Sequence, residues 1–136
     1  MSPAPVVRKI KGNWIDPCKK NPSLLSPYRF RFLNQEHEIN SVMDWNNPHW
    51  GKLWLYNLHY FDDLQACDAE DKKTLHLGLI GKWIEENPHG RGNGWEPYPT
   101  SLRIVNCIKW MLAGNDLSDD LLHSLAAQTR HLFRKP

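Results

Sequence analysis

The chain has 136 residues and a net charge of +2, with 40% hydrophobic and 24% charged residues. That length fits one small domain, the composition excludes wholesale disorder, and the charge excess is too small to leave an electrostatic footprint for nucleic acid. No stretch is long and apolar enough to span a bilayer, so no membrane partner is expected.

Cys18, Cys67 and Cys107 form neither a CxxC pair nor a metal-ligand spacing, and no metal or cofactor is expected. The start, Met1 to Arg8, lacks the apolar stretch of a signal peptide. As written the chain reads as cytoplasmic. It reads as periplasmic or secreted if a targeting segment has been cut away. Seven tryptophans are many for this length. Their ordinary role is core, because large aromatics dominate buried area.

Residues 1–27 contain five prolines and several basic residues and read as an extended arm, which Trp14-Ile15 could anchor. Tyr28-Arg29-Phe30-Arg31-Phe32-Leu33 alternates ring and charge, the period of a half-buried strand. Asn34 to His37 reads as the following turn, and Glu38 to Val42 as a partner strand. From Leu53 the pattern turns helical, with Leu53, Trp54, Leu55, Tyr56, Leu58, Tyr60, Phe61 and Leu64 apolar or aromatic nearly all round.

A second helix is expected from about Ala69 to Glu86, with Leu75, Leu79, Ile80, Trp83 and Ile84 as its stripe. Glu70 and Asp71 lie at its positive end, and Asn87-Pro88 stops it. The loop His89-Gly90-Arg91-Gly92-Asn93-Gly94 has no apolar strand before it, so a dinucleotide-binding reading fails. Thr100 or Ser101 can cap a third helix, buried through Leu102, Val105, Ile108, Met111 and Leu112 and ended by Gly114. Ser118 caps a fourth helix, whose stripe includes Leu121, Leu125, Leu132 and Phe133.

The expectation is a mainly α chain: a short β arm, then four helices as two antiparallel hairpins. The last amphipathic helix meets no further partner before Pro136, so the chain reads as the front of a larger helical domain.

Three elements then suggest a family. Leu55-Tyr56-Asn57-Leu58-His59-Tyr60-Phe61-Asp62, Asn87-Pro88 with its glycine-rich loop, and Trp95-Glu96-Pro97-Tyr98-Pro99-Thr100-Ser101-Leu102-Arg103-Ile104-Val105-Asn106 occur in order, with Trp45-Asn46 ahead of them. Over residues 28–133 they resemble the N-terminal part of heparinase II/III-type proteins. The resemblance implies α-hairpins forming part of an incomplete (α/α) toroid at residues 28–136. A further toroid half and a β-sandwich domain would complete it.

It also implies polysaccharide lyase chemistry, β-elimination on uronic-acid-containing chains such as heparan sulfate- or alginate-like polymers. In that reaction a base takes the proton beside the uronate carboxylate, and the carboxylate charge must be neutralised. The family's Asn-His pair, Tyr and further His have no counterpart here, so no catalytic residue is assigned. Cys107 also stands where many members carry an aromatic residue. The chain is thus expected to supply part of a cleft for an acidic polysaccharide or oligosaccharide while lacking lyase activity alone. The rival reading is a non-catalytic saccharide-binding or assembly module of a surface-polysaccharide pathway. A helical interaction domain with every tryptophan in the core is the third.

Trp95, Glu96, Tyr98 and Arg103 are the candidates for a saccharide-facing wall. Arg103 can grip a uronate or sulfate with its planar fork, or pair with Glu96 to orient the loop. Asn106, three residues on, shares the Arg103 face and binds sugar hydroxyls or caps a neighbouring backbone. His59 with Asp62 or Asp63 has a spacing that can hold a metal or activate the imidazole. The ordinary alternative is a buried His bonded to a carboxylate. Asn57 and Tyr60 face the cleft or pack between helices. His89 and Arg91 can touch an anionic polymer or remain solvated.

Overall fold

The computed structural model describes residues 19–134. Residues 1–18, with Trp14-Ile15 and most of the expected arm, lie outside the described residues, as do Lys135 and Pro136. The described chain is mainly helical, with a short antiparallel sheet before the helices.

The sheet is β1 (Leu24–Ser26), β2 (Arg29–Phe32) and β3 (Gln35–Glu38), in that order. β1 thus falls inside the stretch read as an arm. The alternation in β2 places Phe30 and Phe32 on one face, their rings stacked at 5.9 Å. Arg29 on the other face pairs with Glu36 and Glu38 of β3. The hairpin turn is Leu33-Asn34, both at positive φ (55° and 63°). Two such residues make the tight turn that matches strand twist. The expected turn at Asn34 to His37 is therefore corrected to a shorter one, and Gln35 to Glu38 is strand.

The expected partner strand from Glu38 to Val42 is also corrected. Beyond Glu38 the chain leaves the sheet, and Val42–Asn46 is a 3-10 turn. The carboxylate of Asp44 accepts the N–H groups of Asn40 and Ser41. A side-chain acceptor offers those groups a bond that a strand would otherwise supply.

The helices are α1 (Lys52–Tyr60), α2 (Lys73–Glu86), α3 (Pro97–Leu112) and α4 (Asp119–Arg134). Phe61, at φ 64°, ends α1 in the left-handed conformation. Residues 61–72 then form two 3-10 turns, Asp62–Gln65 and Ala69–Lys72, so α2 starts later than its pattern suggests. α1 packs chiefly on α3, and α3 on α4, with α2 also meeting α4. α1 meets α2 through the Trp83–His59 bond, and the linker between them is folded into the two 3-10 turns.

α3 begins at Pro97, ahead of the expected cap at Thr100 or Ser101. Glu96 is extended and Pro97 occupies the first helical position, where a missing N–H costs nothing. Thr100 lies inside the first turn, and its hydroxyl donates back to Gly94 O at 3.1 Å. Ser118 does cap α4, accepting the Leu121 N–H at 3.4 Å.

The core is aromatic. Trp45, Trp54, Trp83, Trp95 and Trp110 are all buried. Each contributes about 4–6 kcal/mol of apolar burial before entropy is charged against it. Trp54 meets Phe32 edge-on at 5.1 Å and donates to Gln35 O, which fastens the sheet to α1. Cys107 is buried on α3, and burial pushes its thiol up to about 12.

Candidate functional site

The expected wall residues separate into two groups, one inside the molecule and one on its surface. Arg103 belongs inside, with no exposed surface. Its Nε donates to Gln128 Oε1 at 2.7 Å, and its Nη1 donates to Gly94 O at 2.8 Å and His59 O at 3.2 Å. The guanidinium also lies over the Trp83 ring at 4.0 Å. Burial lowers its pKa to about 9, so it remains a cation at neutral pH. With its donors spent on interior acceptors, Arg103 cannot grip a uronate, and it does not pair with Glu96. Both expectations for this residue are corrected.

His59 is likewise wholly buried. Its Nδ1 accepts the Trp83 indole N–H at 2.8 Å, so Nε2 carries the proton donated to Trp45 O at 2.8 Å. Burial, then the Arg103 charge, lower its pKa to about 3, and it is neutral. Neither Asp62 nor Asp63 bonds to it. Asp63 instead accepts from His76 at 2.7 Å, from Lys72, and from the Ser23 and Leu24 N–H groups. The carboxylate partner expected for His59 thus serves another histidine. Among the described residues no three His, Cys, Asp or Glu side chains gather as a metal site.

Trp95 is buried against Trp83, with its indole donating to Asn87 O at 3.2 Å. Asn106 is buried too, and its Nδ2 donates to Tyr60 O at 2.9 Å and to Asp62 at 3.1 Å. It caps the α1 terminus, the second of its two expected roles. Trp95, Arg103, His59 and Asn106 therefore hold α1, α3 and the glycine-rich loop together. Gly94 is part of the same lock, because a Cβ there would lie 2.5 Å from His59 Nδ1.

The surface group is smaller. Tyr98 is 60% exposed and stands edge-on to Tyr60 at 5.7 Å. Tyr60 is mostly covered, and burial raises its phenol pKa. Glu96, half-buried, accepts the Tyr56 hydroxyl and pairs with Lys52 at 3.2 Å. Lys52 also hangs over the Tyr56 ring at 5.4 Å. The bond to Glu96, then burial, raise the Tyr56 pKa. Asn57 bonds to Leu53 O within α1 and is half-buried. Lys52 and Tyr56 were absent from the expected site, although their i, i+4 spacing on α1 would have placed them on one face.

The result is a shallow wall along α1 and the first turn of α3. Three concavities, of about 140, 970 and 730 Å³, lie elsewhere and share no residue with it. His89 and His131 pack on Trp95 at 4.5 and 4.9 Å, while Arg91 is exposed. No family model, curated protein or solved structure matches the chain. Among the described residues no helix is long and apolar enough to cross a membrane.

Proposed function

We propose that the chain supplies one wall of a saccharide cleft in a heparinase II/III-like helical toroid. The polysaccharide lyase chemistry on uronic-acid-containing chains then belongs to residues outside this segment. The observation that carries the reading is Tyr98, an exposed ring braced by Tyr60 beside the Tyr56–Glu96–Lys52 cluster. A large exposed aromatic offers a flat apolar face to a sugar ring. Glu96 accepts sugar hydroxyls, and Lys52 attracts a uronate carboxylate.

A non-catalytic saccharide-binding module is the second reading, favoured by the Tyr56 hydroxyl, which is already engaged in donating to Glu96. Fluorescence titration with uronic-acid oligosaccharides, with absorbance followed for unsaturated product, tests both. Saturable binding without product is the expected outcome. A folded chain that binds none of them would overturn the saccharide reading. Unsaturated product from the isolated chain would overturn the assignment of chemistry elsewhere.

A further inference from the structure

A groove of about 730 Å³ runs between residues 41–49 and the end of α2 with its glycine-rich loop. Its two carboxylates are already engaged. Asp44 accepts the Asn40 and Ser41 N–H groups at 2.8 and 3.2 Å with one oxygen, and Asn47 Nδ2 at 3.2 Å with the other. Glu86 accepts the Trp45 indole N–H at 2.8 Å and pairs with Lys82 at 2.8 Å.

The donors lining the groove are in the opposite condition. Neither the Arg91 guanidinium nor the His49 imidazole has a hydrogen-bond or ion-pair partner among the described residues, and both residues are exposed. Asn46 spends its Oδ1 on the Asn93 backbone N–H at 2.8 Å and the Asn93 side chain at 3.2 Å. Its own Nδ2 has no partner among the described residues. The loop is held against Asn46 by Gly92, at φ +89°, where a Cβ would stand 2.7 Å from Asn46 Oδ1. Val42 and Met43, 53% and 81% exposed, add an apolar side.

We propose that this groove binds a carboxylate-bearing ligand, with Arg91 taking the carboxylate, His49 and Asn46 donating to its oxygens, and Val42 and Met43 covering its apolar body. A cationic ligand would have to displace Lys82 or the backbone donors that hold Glu86 and Asp44. An anion meets free donors. One planar guanidinium fork matches one carboxylate. A doubly charged phosphate would sit near two carboxylates with no second free cation among the lining residues. The groove shares no residue with the Tyr98 wall, so the proposal does not rest on the saccharide reading.

The test is a nuclear magnetic resonance titration of the full chain with hexanoate, D-glucuronate and inorganic phosphate, following the Asn46, His49 and Arg91 side-chain signals. Saturable shifts with a carboxylate are expected, weakened about tenfold or more by Arg91→Ala, since a charge-assisted hydrogen bond is lost. Arg91 is exposed, so the variant should keep its thermal midpoint, and Tyr98→Ala should leave this binding unchanged. Three results would each overturn the proposal: no saturation with either carboxylate, phosphate binding at least as tightly, or an affinity indifferent to Arg91→Ala. Hexanoate or glucuronate binding lost with Tyr98→Ala instead would move the site to the other surface and also overturn it.

Discussion

The guanidinium of Arg103 lies 4.0 Å from the centre of the Trp83 ring, while the indole N–H of Trp83 donates to His59 at 2.8 Å. Arg103 reaches the same histidine from the other side, donating to His59 O at 3.2 Å. Three residues from α1, α2 and α3 are thereby tied at one buried point, and Gln128 adds α4. A cation without a carboxylate partner is tolerated there because carbonyl oxygens, an amide and a ring face replace its water.

Arg103→Met keeps most of the side-chain volume but leaves His59 O and Gln128 Oε1 without this donor, and Gly94 O with the Thr100 hydroxyl alone. Orphaned buried acceptors cost about 1–3 kcal/mol each. The expected loss is about 3–5 kcal/mol, read from urea unfolding, with Arg103→Lys only partly restoring it because an ammonium lacks the fork. An unchanged midpoint would show that the buried network contributes little.

Acid should weaken the fold well before its carboxylates titrate. His59 stays neutral when folded down to about pH 3, whereas the unfolded chain takes up that proton near 6.5. Its contribution is therefore complete above pH 6.5 and falls as pH drops toward 3, by about 1.4 kcal/mol per unit. Between pH 6.5 and 5 the chain should lose about 2 kcal/mol from this residue alone, a slope that His59→Gln removes. Asp63 adds a second loss at lower pH. Burial alone would raise its carboxyl, but bonds from His76, Leu24 N–H, Lys72 and Ser23 N–H outweigh that and hold it well below the usual range. Its contribution is complete above the ordinary carboxylate range and is lost as pH falls through and below it. Urea midpoints that stay flat from pH 7 to 5 would contradict the His59 assignment.

Tyr98→Ala and Trp95→Ala should part company. Tyr98 is exposed and gives up little beyond its edge contact with Tyr60, so the expected loss is about 1 kcal/mol or less. Trp95 is buried, and its truncation should cost about 3–5 kcal/mol. Oligosaccharide affinity should fall with Tyr98→Ala in a chain that remains folded. Equal stability losses for the two variants would remove the distinction between wall and core.

Two glycine substitutions should carry opposite signs. Gly81 lies inside α2, and a methyl added there would meet nothing within 4 Å, so Gly81→Ala should stabilise by about 0.5–1 kcal/mol. Gly94→Ala would drive a methyl to 2.5 Å from His59 Nδ1 and should break the Trp83–His59 bond. Thermal midpoints of the two variants decide this, and a rise for Gly94→Ala would show that the loop relaxes freely.

Local patterning was enough to read four helices, the β2 strand and the Ser118 cap, but it misplaced the buried face of α3, where Val105, Ile108 and Leu112 are exposed and Ile104, Cys107 and Trp110 are buried. Apolar period, charge placement and capping residues act within a few positions of each other. The Leu33-Asn34 turn was missed because leucine is an uncommon residue at positive φ, and the α3 start was missed because Thr100 has the chemistry of a cap. The motif Trp95 to Asn106 was legible as unusual, but its spacing alone did not distinguish a polar residue that meets a ligand from one that fastens a core.

Sequence by itself thus determined a small, mainly helical, tryptophan-rich chain with a β lead-in, because those properties follow from composition and short-range period. Only the tertiary arrangement decided that Arg103, His59 and Asn106 face inward while Tyr98, Glu96 and Lys52 face solvent. The reason is physical. A buried polar side chain requires partners from other elements, and Gln128, Trp83 and Tyr60 O are brought to these residues by packing across 25, 24 and 46 positions of chain.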